Sequence, residues 1–257
     1  MSTSAPGPRV TGLETEFGLL CAPAGPSEAT KSDLPDVERA AALIFRHRPV
    51  GYRSTNLFLP NGGRLYLDIG AHPEYATAEC VSVRDLVAQD QAGRAILADM
   101  ATRAATSLAQ EGTAVRFHLL ANNTDSAGHT YGCHESYSVP RSLLDSTDDA
   151  SAASSETTMA VLTSFLATRP VLVGSGRPLP GGPTEPNEGG RGAGEETAWG
   201  LSPRAPHLQA LTSADTTGQR ALVNTRDEPH ADASRLRRLH VTCADTTMAE
   251  PTTGLRS

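Results

Sequence analysis

The stretch RLYLDIGAHPEYATAEC, residues 64–80, constrains the fold of this chain more than any other part of the sequence. Over residues 64–69 apolar and polar residues alternate, which is typical of a strand that is buried on one side. Gly70 and Pro73 then end that strand before a second one begins. Because successive side chains of a strand point to opposite faces, each face has its own set: Leu65, Leu67 and Ile69 on one, Arg64, Tyr66 and Asp68 on the other. The sequence therefore predicts a sheet with one apolar face and one face that carries ionisable groups.

The second half of this stretch adds Glu74, Tyr75, Thr77 and Glu79. Strict alternation would put Glu74 and Thr77 on opposite faces of a strand. If both residues serve one site, the backbone has to bend or bulge between them. If one site uses both residues, we therefore expect an irregular strand at this point.

A similar pattern lies near the N-terminus, in RVTGLETEFGLLC at residues 9–21. It predicts one strand with Leu13, Thr15 and Phe17 on one face and with Glu14 and Glu16 on the other. Like charges at short range raise one another's pKa unless a cation joins them, and oxygen ligands of this kind suit Mg²⁺ that bridges to nucleotide phosphates. The alternative is that each carboxylate pairs with an arginine or lies in solvent.

The remaining patterns are those of a mixed α and β chain. Helical spacing occurs at residues 35–48, 81–111 and 156–169, and strand patterns occur at 54–69, 114–123, 131–139 and within 221–245. We expect 131–139 to be the hairpin partner of 114–123. Hairpins interleaved with helices favour an α+β fold with an antiparallel sheet over a doubly wound one.

The composition argues against several classes of protein. A formal charge of −7 and a pI near 5.6 make a nucleic-acid partner unfavourable, because binding phosphates requires a basic face. No apolar run reaches the roughly 20 residues that cross a bilayer, and the N-terminus lacks a signal peptide, so we expect no membrane association. The four cysteines are far apart and form no C-x-x-C pair, which favours reduced thiols and a cytoplasmic protein.

Four long blocks of the sequence carry a resemblance to a known family: GLETEFGL, RLYLDIGAHPEYATAEC, NNTDSAGHTYGCHESY and NTRDEPHADASRLRRLHV. They resemble the Pup ligases (proteasome accessory factor A) and their sisters, the Pup deamidases and depupylases. The resemblance implies a glutamine-synthetase-like carboxylate-amine ligase fold, in which a curved antiparallel sheet backed by helices holds Mg-ATP. It also implies a role for each matching residue: Glu14, Tyr66 and Glu74 bind magnesium, Arg64 and Thr77 bind the nucleotide, and Asp68 is the catalytic carboxylate.

By this resemblance the chain is expected to be a Pup–protein ligase that uses ATP and Mg²⁺. Such an enzyme phosphorylates the C-terminal glutamate of its partner Pup, and a lysine of a substrate protein then displaces the phosphate to form an isopeptide bond. Lysine has a reference pKa of ~10.4 and is protonated at neutral pH, so the attack requires a base, for which Asp68 is the candidate. Ile69 and the compact spacing from Glu14 to Asp68 resemble the ligase more than the deamidase.

For several other residues, the sequence does not decide between a role in the site and a structural role. Arg226, Arg237 and Arg238 either contact phosphate or acidic Pup, or form a solvated face. His134 and Glu135 either line the site or are structural.

The resemblance also predicts how the chain is organised. We expect a disordered tail at residues 1–8, the first part of an ATP- and Mg-binding catalytic domain at 9–173, and its truncated continuation at 198–257, with the fold incomplete at the C-terminus. Between these parts, residues 174–197 are so rich in Gly, Pro and Glu that they predict a flexible loop. The alternatives to a ligase are a Pup deamidase or depupylase, and a truncated nucleotide- or Pup-binding relative without full activity.

Overall fold

The computed structural model describes residues 9–25, 34–49, 54–121, 123–125, 129–144, 149–179, 198–214, 219–224 and 232–245. The predicted tail at 1–8, residues 180–197 of the predicted loop, and Arg226 lie outside the described residues. Within the described part of the chain, no helix combines the length and the hydropathy that crossing a membrane requires.

These residues form twelve strands and four α-helices. The strands are β1 Thr11–Glu16, β2 Gly18–Pro23, β3 Asn56–Phe58, β4 Arg64–Asp68, β5 His72–Ala76, β6 Val115–Leu120, β7 Cys133–Pro140, β8 Arg177–Leu179, β9 Ala198–Gly200, β10 Ala210–Ser213, β11 Ala221–Asn224 and β12 Leu236–Ala244. The helices are α1 Val37–Phe45, α2 Val83–Gln110, α3 Asp149–Thr168 and α4 Pro170–Val173.

Eight of the strands make one sheet, in the order β10-β11-β12-β7-β1-β5-β4-β3. Each strand runs antiparallel to its neighbour except β10 and β11, which are parallel to each other. Apart from that one pair, the predicted α+β fold with an antiparallel sheet backed by helices is confirmed.

A bend at Phe17 divides the strand that the sequence predicts at 9–21. Phe17 is buried, and its N–H donates to the carbonyl oxygen of Pro73 at 2.9 Å. Beside it, Gly18 lies so close to Tyr131 that an added Cβ would overlap the phenol oxygen. The chain therefore leaves the large sheet after β1, and β2 pairs with β6 in a separate two-stranded sheet.

This bend explains why the predicted pairing of 131–139 with 114–123 is wrong. Strand β6 takes β2 as its partner, and β7 lies between β1 and β12. A period-two pattern specifies which face of a strand is buried, but it does not specify which strand lies next to it.

The main core lies between the large sheet and the helices α1 and α2. Each helix begins at a capping side chain: Asp36 accepts a hydrogen bond from the N–H of Arg39, and Ser82 accepts one from the N–H of Asp85. The helices and the sheet bury a common set of apolar residues, which includes Phe17, Ile44, Phe45, Leu65, Tyr75, Leu97 and Met100. Leu65, which the sequence assigns to the apolar face, is fully buried here.

Ile69, assigned to the same face, is instead 91% exposed. Strand β4 ends one residue earlier, and the chain turns through Gly70 and Ala71 with φ angles of 85° and 60°. Such left-handed backbone ends the alternation of faces, so the strand pattern no longer determines where Ile69 points.

A second core lies under α3, where Leu166 packs with Leu222, Val223 and Val241. Beyond α4, the segment predicted as a flexible loop at 174–197 begins with ordered backbone, because β8 pairs with β9. Residues 177–179 of this segment therefore form a strand, and the rest of the predicted loop up to residue 197 lies outside the described residues.

Candidate functional site

The polar face of the large sheet brings the predicted site residues together. In the register of the strands, Glu16 and Tyr66 both pair with Glu74, from opposite sides of β5. On the other side of β1, Glu14 pairs with His134. The six predicted site residues therefore lie on three neighbouring strands or directly after one: Glu14 on β1, Glu74 on β5 with Thr77 just beyond it, and Arg64, Tyr66 and Asp68 on β4.

The polar face can be divided along the direction of its strands into two ends. The residues that define the cavity end line a cavity of about 400 Å³ and include Glu14, Arg64, Thr77, Arg237 and Arg238. The carboxylate end lies further along the same strands and is defined by Glu16, Asp68 and Glu74. A strand advances about 6.6 Å over two residues, so the ends are close neighbours.

At the cavity end, the chain bulges just beyond β5. Glu14 pairs with Ala76, but Thr11 pairs with Cys80, so one extra residue lies on the β5 side. Thr77 is still in register before this bulge: its N–H donates to the carbonyl of Leu13 at 2.8 Å, and its hydroxyl accepts from the N–H of Leu13 at 3.0 Å. The bulge therefore lies after Thr77 and not between Glu74 and Thr77, where a shared site was expected to require it. Thr77 lines the same cavity as Glu14 and Arg64.

Positive groups surround Glu14. Its two carboxylate oxygens lie 3.2 Å from Nδ1 of His134 and 3.2 Å from a guanidinium nitrogen of Arg238. Burial raises the pKa of Glu14, but the hydrogen bond to His134 and the charges of His134, His240 and Arg238 outweigh it and lower the pKa to about 2. Arg238, whose role the sequence leaves open, therefore belongs to the polar face. Arg237 also lines the cavity, but alternation along β12 directs its side chain to the opposite face.

Arg64 extends over the edge of the same cavity. Its Nε donates to Oδ1 of Asn56 at 2.8 Å, and its guanidinium carbon lies 4.4 Å from the centre of the Tyr66 ring. A cation above an aromatic face is attracted to the ring, so the Arg64 side chain is held in place at the edge of the cavity.

The carboxylate end has the opposite electrostatics. Glu16 and Glu74 are 7% and 2% exposed, and the hydroxyl of Tyr66 donates to Glu74 in a short hydrogen bond. Burial raises the pKa of Glu74 most, and the charges of Glu16, Glu14 and Asp68 raise it further. The hydrogen bond from Tyr66 lowers it, and the pKa of Glu74 is about 9. Burial also raises the pKa of Glu16. Among the described residues, no cation forms a direct ion pair with these carboxylates.

Two groups of side chains on this face have the composition and spacing of metal ligands. Ligand atoms of Glu16, Glu74 and His134 lie within 4.8 Å of one another, and so do those of Glu14, His134 and His240. His134, which the sequence leaves open, is common to both groups. Of the predicted magnesium ligands, Glu14 and Glu74 thus lie in adjacent groups, and Tyr66 contacts Glu74.

Two residues of this region, His240 and Arg204, were not identified as site residues from the sequence. His240 contacts His134 edge to face, with 5.1 Å between the ring centres. Burial lowers the pKa of His240 to about 4; the charge of Glu14 opposes this shift, and the neighbouring cations add to it. The alternation of Arg238, His240 and Thr242 along β12 is a signal that could have identified it. Arg204 is buried near Glu16 and has no comparable pattern around it.

Glu135 lies on the other face of the sheet, so its suggested place in the site is wrong. It forms an ion pair with Arg169 at 2.9 Å and accepts from the hydroxyl of Tyr137 at 2.8 Å. Because adjacent residues of a strand point to opposite faces, His134 and Glu135 cannot both line one site.

With this geometry in place, comparison with known proteins assigns the family. Residues 9–257 match the family model described as Pup-ligase protein. The chain belongs to the Pup ligase family. Two relatives named Pup–protein ligase are similar to it: one from Rothia mucilaginosa, 43% identical over 253 residues, and one from Xylanimonas cellulosilytica, 46% identical over 248 residues. Each alignment covers 96% of this chain and 48% of the relative, so the chain spans about half the length of the curated relatives it matches.

Solved structures of Pup ligases agree with the fold. In the complex between the prokaryotic ubiquitin-like protein Pup and its ligase PafA, the ligase matches 95% of this chain with a TM-score of 0.73 and 37% identity. The Pup ligase PafA in complex with ADP matches 88% of this chain with a TM-score of 0.60 and 40% identity. The matches cover 43% and 46% of those chains.

Proposed function

We propose that this chain forms the nucleotide-binding part of a Pup–protein ligase, which uses ATP to join the C-terminal glutamate of Pup to lysines of other proteins. The observation that carries the proposal is the polar face itself: a cavity lined by arginines leads along one set of strands into a group of buried carboxylates. The name of the relatives supports the reaction, and the Pup-bound neighbour supports the partner. A cytoplasmic location is consistent with four cysteines that form no disulfide.

The cavity end suits the phosphates of a nucleotide. Arg64 and Arg238 bring positive charge to its wall, and Thr77 adds a hydroxyl. Guanidinium groups bind phosphate oxygens through paired hydrogen bonds. The neighbour solved in complex with ADP supports nucleotide binding by this family.

Magnesium fits the polar face by the chemistry of its donors. Mg²⁺ prefers oxygen ligands, and Glu14 and Glu74 supply carboxylates while Tyr66 supplies a hydroxyl. Burial raises the pKa of Glu74 most, and repulsion from Glu16 and Glu14 adds to it; a divalent cation would offset that repulsion. When bound, the ion would supply charge stabilisation for the phosphate oxygens.

The reaction then follows in two steps. A γ-carboxylate oxygen of the terminal glutamate of Pup bonds to the γ-phosphorus of ATP, and ADP leaves. A lysine nitrogen next bonds to the glutamyl carbonyl carbon, phosphate leaves, and Asp68 accepts the proton that the amine loses. Arg64 and Arg238 offset the charge that develops on the transferred phosphoryl group.

Intact-protein mass spectrometry tests this proposal. The chain is incubated with Mg-ATP, a lysine-bearing acceptor, and Pup that ends in either glutamate or glutamine. We expect an adduct equal to Pup plus acceptor minus water from the glutamate form. Conversion of the glutamine form to glutamate without an adduct would assign a deamidase instead. Nucleotide binding without either product would contradict ligase activity of this chain, and no binding would contradict the proposed site.

A further inference from the structure

The proposed reaction requires a second anion site that the cavity end does not supply. In phosphoryl transfer the attacking and leaving oxygens lie on opposite sides of the transferred group. With the nucleotide at the cavity end, the acceptor carboxylate therefore approaches from the carboxylate end. Asp68, the proposed base, lies at that end too, two residues beyond Tyr66 on β4. The inference that follows rests on the proposed function.

Arg204 is a buried cation at the carboxylate end. Its side chain donates to the carbonyl oxygen of Thr242 at 2.7 Å and to the hydroxyl of Thr130 at 3.2 Å. Thr130 lies two residues before Gly132, whose carbonyl accepts from the N–H of Glu16 at 3.0 Å. The guanidinium thus lies near Glu16, and its charge opposes the effect of burial on the pKa of Glu16.

The segment that carries Arg204 is held in place by its own hydrogen bonds. The hydroxyl of Ser202 donates to Oδ1 of Asp245 at 2.8 Å, and it accepts from the N–H of Arg204 at 3.2 Å. Ser202 and Arg204 are 8% and 6% exposed. The guanidinium is therefore positioned before a ligand arrives, which lowers the entropy that binding has to overcome.

The charge of Arg204 is not neutralised by an ion pair within the described part of the chain. Glu16 lies near enough to influence its pKa, but no described carboxylate lies within 4.0 Å of the guanidinium. A guanidinium carries five N–H donors, and the two acceptors above use two of them. A buried cation with free donors is unfavourable alone and favourable with a carboxylate that it can bind through two hydrogen bonds.

We propose that Arg204 binds a carboxylate of the terminal glutamate of the acceptor, at the carboxylate end of the polar face and opposite the nucleotide. The ligand class is a C-terminal glutamyl peptide. Arg204 then holds the acceptor through paired hydrogen bonds.

Fluorescence anisotropy of a labelled peptide tests this proposal. The peptide has the C-terminal sequence of Pup and ends in glutamate, and the full chain is saturated with Mg-ADP. We expect Arg204→Gln to weaken peptide binding by about tenfold or more, since hydrogen bonds to charged groups are involved, and to leave ADP affinity within about twofold. Arg103→Gln, on the exposed surface of α2, is the matched control and should change neither. Peptides with an α-amide or with a terminal glutamine show which carboxylate Arg204 binds.

The outcomes separate this inference from the proposed function. If the unmodified chain binds ADP but not the peptide, both the partner and the role of Arg204 are overturned. If it binds the peptide and Arg204→Gln binds equally well, only the role of Arg204 is overturned. Should Arg204→Gln unfold at lower temperature, Arg204→Lys keeps the charge. A lysine variant that is as stable as the unmodified chain and binds the peptide with unchanged affinity would exclude paired hydrogen bonding.

Discussion

The two ends of the polar face use the same residue type for opposite purposes. Glu14 at the cavity end has a pKa lowered to about 2 by His134 and Arg238, whereas Glu74 at the carboxylate end has a pKa raised to about 9 by burial and by Glu16. Glu14 and Glu16 are separated by one residue of β1. The difference shows that neighbours, and not residue type, determine the charge of each carboxylate. At the cavity end, cations offset the charge of the carboxylate directly, whereas at the carboxylate end burial and repulsion between carboxylates dominate.

The largest effect we predict concerns the base at the carboxylate end. Asp68→Asn keeps the shape of the side chain but cannot accept a proton from lysine. We expect conjugation to fall by about 10²–10⁴, the usual contribution of general base catalysis, while ADP affinity stays within about twofold. Single-turnover conjugation and an ADP titration measure the two quantities.

Asp99→Asn on the exposed surface of α2 is the control for this comparison. Equal conjugation by the Asp68 variant and the unmodified chain would remove Asp68 from the mechanism. An equal loss of ADP binding would instead show that the two ends are not separable.

The next prediction concerns the cavity end. Glu14→Gln removes a proposed magnesium ligand and the partner of Arg238, so Mg-ADP should bind about tenfold more weakly, equivalent to about 1.4 kcal/mol. Without magnesium the same variant should bind ADP at least as well as the unmodified chain, because a negative charge has left the cavity. Calorimetry with magnesium and with EDTA distinguishes the two, and an unchanged Mg-ADP affinity would rule out the metal role of Glu14.

The face of the sheet on which each site residue lies can be predicted from the sequence, but the order of the strands cannot. Alternation correctly placed Glu14 with Glu16, and Arg64 with Tyr66 and Asp68, because side-chain direction in a strand depends only on local geometry. The roles of these residues stay predictions.

The sequence does not reveal the order of the strands, nor which side chains from distant parts of the chain pack beside the site. β7 joins β1 because the chain bends at Phe17, and Ile69 turns outward because of the positive φ at Gly70. His240 and Arg204 reach the site from more than 100 residues beyond Glu14 in the sequence. No local pattern encodes such a contact.

A third prediction uses the opposite pKa shifts. The pKa of Glu74 is higher in the folded chain than in the unfolded chain, so its contribution to stability is complete below pH 4.5 and is lost as pH rises toward about 9. The pKa of Glu14 is lower in the folded chain, so its contribution is complete above pH 4.5 and is lost as pH falls toward about 2. Without divalent cations, Glu74→Gln should therefore gain stability over the unmodified chain from pH 5 to pH 9.

Urea unfolding in EDTA at pH 5, 7 and 9 measures this difference. Glu14→Gln is the matched variant, and its loss of stability should stay constant over the same range and shrink only below pH 4.5. Parallel pH profiles for the two variants would contradict the electrostatic contrast between the two ends.

The smallest effect we predict concerns Thr77 at the cavity end. The hydroxyl of Thr77 already accepts a hydrogen bond from the N–H of Leu13, so Thr77→Val should cost about 1 kcal/mol of unfolding free energy, and Thr77→Ser should cost less. A hydroxyl that accepts one bond still has its own hydrogen to donate, which leaves it able to bind a phosphate oxygen. If Thr77 has only the structural role, Thr77→Val lowers stability and leaves ADP affinity unchanged. If it also binds the nucleotide, both fall, and Thr77→Ser restores both, because serine keeps the hydroxyl that both roles require.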